Sequence, residues 1–383
     1  MPRLQFRNFS DLAFIQSVDK PRYLGPLLAD HKDYFTRQGL DVERLTNDDR
    51  CDRKLLAAFT QADENMPPAL LETLYELDDL SDESGHDRIL EEADRMGITL
   101  NGVYEDLNPG EFAIAVFRDH IHLVHFCHQK TIYRKIKNYQ EYQSKDGKTL
   151  SLKKAKARRV DLENEMAPWF EAKNRSRACE IHVYEEKGEI KFQITHGRPY
   201  RTDGTIDKKL HRSRVAYRPQ KHDSVIYDNR MRVLKVNAQT AAEKDLYREK
   251  FGKVLFDDAA YFPEGDIYTL EPLRHGKAAL KLVPGVDSVR LGEVWITIDD
   301  DQRFTQISKG YNLFESIAKH GKPNLQEGRI VRASFLMKYE SGGRPRKLEL
   351  RPPNVAILDR DRDGAVAEAF MAANDLLKVD LDG

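Results

Sequence analysis

Apolar residues recur at helical intervals through the first third of the chain and at strand intervals from Cys179 onward. Tyr23, Leu24, Leu27, Leu28, Tyr34 and Phe35 lie largely three or four apart after Pro21, which a first helical turn tolerates, and predict an amphipathic helix. Pro67-Pro68 opens a second, with Leu70, Leu71, Leu74, Tyr75 and Leu77 on its buried side. A third carries Ile89, Leu90 and Ala93 and stops near Gly97, and Asn108-Pro109 opens a fourth. From Asp161 to Ala172 the pattern is helical again, with Pro168 a break or kink. Then the period becomes two. Cys179, Ile181 and Val183, a Lys187-Gly188 turn, and Ile190, Phe192 and Ile194 predict a β-hairpin whose alternation carries His196 onto the apolar face. A second hairpin runs Val225-Ile226-Tyr227, Asp228-Asn229-Arg230, Met231 to Val236. Thr240 and Glu243 make a capping box for a helix that Gly252 is placed to end. Strands follow at 267–270, 278–282 and 289–298, then a helix at 313–319, a hairpin from 329–339 and 347–350, and a closing helix at 365–377.

The expected fold class is α+β: an N-terminal helical bundle, a central mostly antiparallel β-sheet region with an inserted helix, and a small C-terminal α+β unit. The corresponding domains are an acidic helical domain at 1–130, a basic helical connector at 131–175, a β-rich domain at 176–300 and the C-terminal unit at 301–383.

Composition narrows the class. At 383 residues with 40% apolar content, the chain buries a sizeable core. No apolar run reaches the ~18–20 residues of a membrane helix, and Met1 to Phe6 does not read as a signal peptide, so a cytoplasmic protein with no membrane contact is expected. Cys51, Cys127 and Cys179 are far apart and odd in number, which indicates neither a disulfide framework nor a thiolate zinc site.

The formal net charge of −1 conceals an asymmetry. Gln61 to Glu111 holds fifteen acids against two arginines, whereas Lys130 to Arg159 holds eleven bases against two acids and Arg198 to Lys235 eleven against four. Tyrosines are interleaved in both basic stretches, a composition that suits phosphate backbone and unstacked bases. The plainer explanation is docking of acidic on basic regions within the chain, or solvated faces.

Several motifs bear on chemistry. His120, His122, His125, Cys127 and His128 have helical spacing, but ligands from one helix rarely complete a metal site, so none is assigned. Asp359, Asp361, Asp363 and Gly364 match the opening of a calcium loop, yet its twelfth position is Phe370 instead of a bidentate Glu. Glu189-Ile190-Lys191 fits the E-x-K half of a Mg²⁺ nuclease site, but beside a Gly turn it reads as a solvated ion pair. Phosphate-loop, dinucleotide and serine-elbow motifs do not occur. The densest cluster is His196-Gly197-Arg198-Pro199-Tyr200 with its echo Tyr217 to Asp223, read as binding loops beside strands.

Arg-Ala-Cys at 177–179, Thr-His-Gly at 195–197, Tyr-Arg-Pro-x-Lys-His-Asp at 217–223, Glu-Lys-x-Leu-Tyr-Arg at 243–248 and Arg-Pro-Pro-Asn-Val-Ala at 351–356 resemble an uncharacterised family of bacterial cytoplasmic proteins. The resemblance implies a bacterial source and carries no activity. The first expectation is therefore a bacterial nucleic-acid-associated protein, such as an accessory of a mobile-element or anti-phage defence system. In it Arg198, Arg201, Arg218, Lys221, Arg134, Lys135, Lys153, Lys154, Arg158 and Arg159 contact phosphates without a cofactor. The second is a phosphodiesterase or nuclease, with Mg²⁺ a candidate cofactor only if it is a nuclease, in which His196 and His222 act as acid and base and Asp223 orients an imidazole. The third is an interaction subunit whose acidic N-terminal domain, through Asp78, Asp79, Asp82 and Glu83, engages a protein partner.

Overall fold

The helical period of the first third resolves into α1 (Leu12–Ser17), α2 (Gly25–Leu28), α3 (Lys32–Arg37), α4 (Asp49–Thr60), α5 (Pro68–Asp78), α6 (Glu83–Met96), α7 (Pro109–Asp119) and α8 (Ile121–Arg134). The computed structural model describes residues 6–61, 65–206, 210–299, 301–302 and 304–378. Side chains start these helices where the sequence offers them. Asp48 accepts from the Cys51 N–H and Asp82 from Gly85, each satisfying an amide that has no partner inside its helix. Gly97, in the left-handed region at φ 68°, ends α6. Phe9, Phe35, Phe59, Leu74, Ile89 and Val116 belong to one core, and the chain divides into two compact units, Met1–Ile132 and Tyr133–Gly383.

Part of the acidic charge in the first unit is internal. Asp78 is buried and accepts the backbone N–H groups of Arg7, Asn8 and Phe9. On α8, His125 faces Glu76 of α5 at 2.7 Å and His128 faces Asp79, the residue after α5, at 3.3 Å, so these imidazoles meet carboxylates instead of converging with one another.

The second unit is built on one sheet. Its strands are β1 (Asn138–Gln143), β2 (Cys179–Glu186), β3 (Glu189–Gly197), β6 (Gln220–Asp228), β7 (Val233–Asn237), β8 (Val286–Asp299), β9 (Phe304–Lys309), β10 (Arg329–Tyr339), β11 (Arg346–Arg351) and β12 (Val355–Ile357). They lie in the order β2-β3-β6-β7-β1-β12-β11-β10-β8-β9, every neighbouring pair antiparallel. A separate pair, β4 (Arg201–Ile206) and β5 (Arg212–Tyr217), extends from it. The sheet crosses the boundaries that composition placed near 176 and 301, because β1, from the basic connector, pairs with β7 on one side and β12 on the other. Of the three strands expected between 267 and 298, the last is β8; around Tyr268 there is one isolated bridge, and Glu271–Ala279 is 3₁₀.

Each face of the sheet has its own helices. On one, α9 (Leu152–Ala157), α10 (Arg159–Ala172) and α11 (Ala241–Phe256) cover β1, β2, β3, β6 and β7, burying Phe170, Ile190, Phe192, Val225, Tyr227 and Phe251. α10 runs on through Pro168, and α11 passes Gly252 to end at Asp257, whose φ of 59° takes the left-handed cap role. On the other face, α12 (Leu313–His320) and α13 (Arg360–Ala373) bury Phe314, Leu291, Phe335, Leu350, Phe370 and Met371. Among the described residues no helix is long and apolar enough to cross a membrane.

Candidate functional site

Cross-strand register decides which candidate residues meet. β3 pairs with β6 so that His196 lies opposite Lys221 and Thr195 opposite His222. Successive side chains of a strand point to opposite faces. His196, Lys221 and Asp223 therefore face α10 and α11, while His222 faces the other side, where its Nδ1 lies 3.2 Å from Thr195 Oγ1 and its ring meets Tyr133 edge-on. The register does not bring His196 and His222 to one reacting atom.

His196 and Asp223 do come together, inside a closed polar cluster. His196 Nε2 is 3.0 Å from Asp223 Oδ2, which also accepts from Tyr247 Oη at 2.7 Å. Lys221 Nζ bridges Asp223, at 3.2 Å, to Glu243, at 2.6 Å. Glu243 further accepts from Arg175 and from the Thr240 amide, the latter completing the capping box of α11. Burial pushes the Glu243 carboxyl up, but the bonds from Lys221, Arg175 and Thr240 outweigh it and hold the group down at about 2. His196 Nδ1 lies 3.2 Å from the Gly197 carbonyl and its ring stacks on Phe170 at 4.3 Å. Both imidazole nitrogens thus face acceptors, and the residue is 3% exposed. His196, Asp223 and Glu243 have the spacing of metal ligands, but the Lys221 ammonium lies between the two carboxylates. The cluster's chemistry is to fix the ends of β3, β6 and α11 against one another. Burial pushes the thiol of Cys179, opposite His196 in the ladder, up to about 12, away from the thiolate form that a nucleophile needs.

A second cluster lies across the sheet under α13. Lys235 Nζ is 2.8 Å from Glu189, 2.8 Å from Asp228 and 3.3 Å from Glu368. Beside it Lys191 pairs with Glu186 at 2.7 Å. The E-x-K pair is thus largely shielded, its Lys191 and Glu189 side chains 13% and 12% exposed, not solvated as its sequence context implied, because α13 covers this face. The three carboxylates again have metal-ligand spacing, with an ammonium among them. The aspartates that resembled a calcium loop do not converge: Asp363 pairs with Arg346, Asp359 with Lys137 and Asp361 with Arg134.

What remains exposed is the ribbon β4–β5. The main ladder ends at Gly197 and Gln220 and a new one starts at Arg201 and Tyr217. Between them stand Pro199 and Pro219, which have no N–H to give a ladder. Gly197 allows the neck to pass close to Ser176, whose Cβ would lie 2.8 Å from any added Cβ. At the neck the Arg218 guanidinium lies 4.1 Å over the Tyr200 ring and donates to the Asn174 carbonyl at 2.8 Å. All six residues of β5 and five of the six in β4 are exposed. Arg212 and Arg214 pair with Ile206 and Gly204 and so share one face, while Arg201 lies on the other, pairing with Asp203 at 3.0 Å. Among the described residues Arg198, Arg212 and Arg214 have no carboxylate partner.

The remaining basic candidates are divided. Lys221 is internal, and Arg134 faces Asp361 at 3.4 Å. Arg158 pairs with Asp161 at 2.8 Å and Arg159 with Glu163 at 3.8 Å, while Lys154 lies over the Phe256 ring. Lys135 and Lys153 are exposed. Arg212 and Arg214 were not singled out from sequence, although the two-residue period of Arg212-Ser213-Arg214 places both on one side of a strand. No protein-family model matches the chain, and a search of characterised proteins finds no relative.

Proposed function

We propose that this protein binds the sugar-phosphate backbone of nucleic acid through the β4–β5 ribbon. The observation that carries the reading is a solvent-exposed two-stranded arm with Arg212 and Arg214 on one face, neither held by a carboxylate among the described residues. A two-stranded ribbon fits the major groove of a duplex. Two residues apart on one strand, the arginines stand about 7 Å from each other, and each guanidinium presents paired donors to phosphate oxygens. Arg198 and the Arg218–Tyr200 stack add cationic and aromatic surface at the neck. The buried His196, Lys221 and Glu243 cluster supports the reading from behind, since it fixes the strand ends that carry the arm. A phosphodiesterase with His196 and His222 as acid and base draws no support from the register.

The test is anisotropy of labelled duplex and single-stranded DNA and RNA across a salt series. Affinity should fall linearly on a log–log plot, with a slope of about −0.9 per phosphate neutralised on a duplex. Arg212→Ala and Arg214→Ala should each reduce the magnitude of that slope by about one and leave the melting temperature unchanged. Binding that ignores salt, or variants that bind as the wild type does, would overturn the reading.

A further inference from the structure

The face of the sheet that carries α10 and α11 is covered over only half its width. No residue of β8, β10, β11 or β12 belongs to the apolar cluster under those helices. Leu291, Val294 and Ile296 point into the opposite core, so alternation, reset by the irregularity at Gly292, leaves Arg290, Glu293 and Trp295 on the uncovered side. Register adds neighbours: Arg332 and Ile307 lie opposite Trp295, Lys309 opposite Glu293, and Lys347 opposite Leu336.

Charge on this face is unbalanced. Glu349 is buried and accepts from Arg332 at 2.8 Å, from Arg351 at 2.6 Å and from Lys347, so one carboxylate meets three cations. Arg290 and Lys309 add two more against Glu293, and Lys309 is 66% exposed in its side chain. At the rim, burial and then the Arg351 charge hold the Lys244 ammonium below its ordinary value. Two aromatic rings stand among these cations. The Arg332 guanidinium lies 4.6 Å over Trp295, and that of Arg290 lies 3.9 Å over Tyr311, which is 76% exposed.

We propose that the open face of β8–β12 is a platform for single-stranded nucleic acid, with Tyr311 and Trp295 as stacking surfaces for bases and Arg290, Lys309, Lys347 and Arg351 as backbone contacts. A sheet face with aromatic rings receives splayed bases, which a paired duplex does not present, while surrounding cations hold the phosphates. The proposal deepens the nucleic-acid reading of the ribbon and shares its ligand class, but uses a different surface.

The test compares a labelled twenty-nucleotide oligo(dT) with a duplex of equal length, using the full chain, an Arg212→Ala/Arg214→Ala form and an Arg290→Ala/Lys309→Ala/Tyr311→Ala form. The last should bind oligo(dT) at least about ten-fold more weakly while its duplex affinity is unchanged. If only the ribbon form loses oligo(dT), the platform is overturned and the ribbon reading stands. Equal loss of both probes in the platform form overturns the single-strand assignment. Loss of oligo(dT) in the platform form alone, with no ribbon effect on either probe, supports the platform and contradicts the ribbon. No binding of either probe by the full chain overturns both. Photo-crosslinking of a bromodeoxyuridine-substituted strand to the unmodified protein needs no variant: adducts should map to the peptides holding Trp295 or Tyr311, and adducts confined elsewhere would overturn the proposal.

Discussion

Lys235 has no exposed side-chain surface and three carboxylates around it. Desolvation pushes the Asp228 carboxyl up, yet the Lys235 ammonium and the Arg230 guanidinium overcome it and hold it down at about 2. A carboxyl whose folded pKa is depressed contributes stability above its unfolded value and loses it as pH falls through the folded one. With Glu243 also near 2, unfolding free energy should be flat above roughly pH 5 and should fall between about pH 4 and pH 2. Lys235→Met removes the ammonium that all three carboxylates share and leaves Arg230 and Lys191 at the edge of the cluster to offset them, a loss of about 3–5 kcal/mol at pH 7. The slope should then change sign, because the native state now holds protons that the unfolded chain releases, and denaturant melts from pH 4 to 8 would read it. At this scale the sequence was legible for His196, whose parity with Ile190, Phe192 and Ile194 put it on the buried side, where it lies. It was not legible for Glu189 and Lys191, since the helix that shields them, expected at 365–377 and starting at Arg360, lies far along the chain and nothing near Glu189 shows that it packs there.

Among the elements, the hairpins and the capping box of α11 followed from period and cap residues alone. β1 did not. Its sequence Asn-Tyr-Gln-Glu-Tyr-Gln has no aliphatic residue, and it is buried through Tyr139, Tyr142 and a Glu141 that pairs with Arg360. Only tertiary pairing makes such a segment a central strand. The ribbon is the opposite case, a regular element with no core beneath it, and none of its residues belongs to an apolar cluster. Arg198 N donates to the Pro219 carbonyl at 2.8 Å, so replacing residues 199–218 by Asn-Gly leaves a two-residue hairpin between β3 and β6. That change should alter stability by less than about 1 kcal/mol, as surface changes away from packed or buried polar groups do, and calorimetry would check it.

The molecule as a whole contains two tryptophans, and both lie in the second unit, Trp169 on α10 and Trp295 on β8. Composition divided this region at about 176 and 301, because basic, β-rich and mixed segments differ in content. A ten-stranded sheet ignores composition and joins them. Its two ends should therefore unfold together: Trp169→Phe and Trp295→Phe proteins, each reporting one end by fluorescence, should show coincident denaturant midpoints, and separated midpoints would contradict a single cooperative sheet. The charge asymmetry did not show which cations face solvent: Arg134, Lys221 and Lys235 pair with carboxylates while Arg212 and Arg214 stay exposed. The most direct test of the binding account is duplex DNA affinity against salt for the wild type and for the ribbon-replaced form. The account predicts at least about a ten-fold loss of low-salt affinity and a slope smaller by two or more once the ribbon is gone. An unchanged slope and affinity, in a protein shown to be folded, would contradict it.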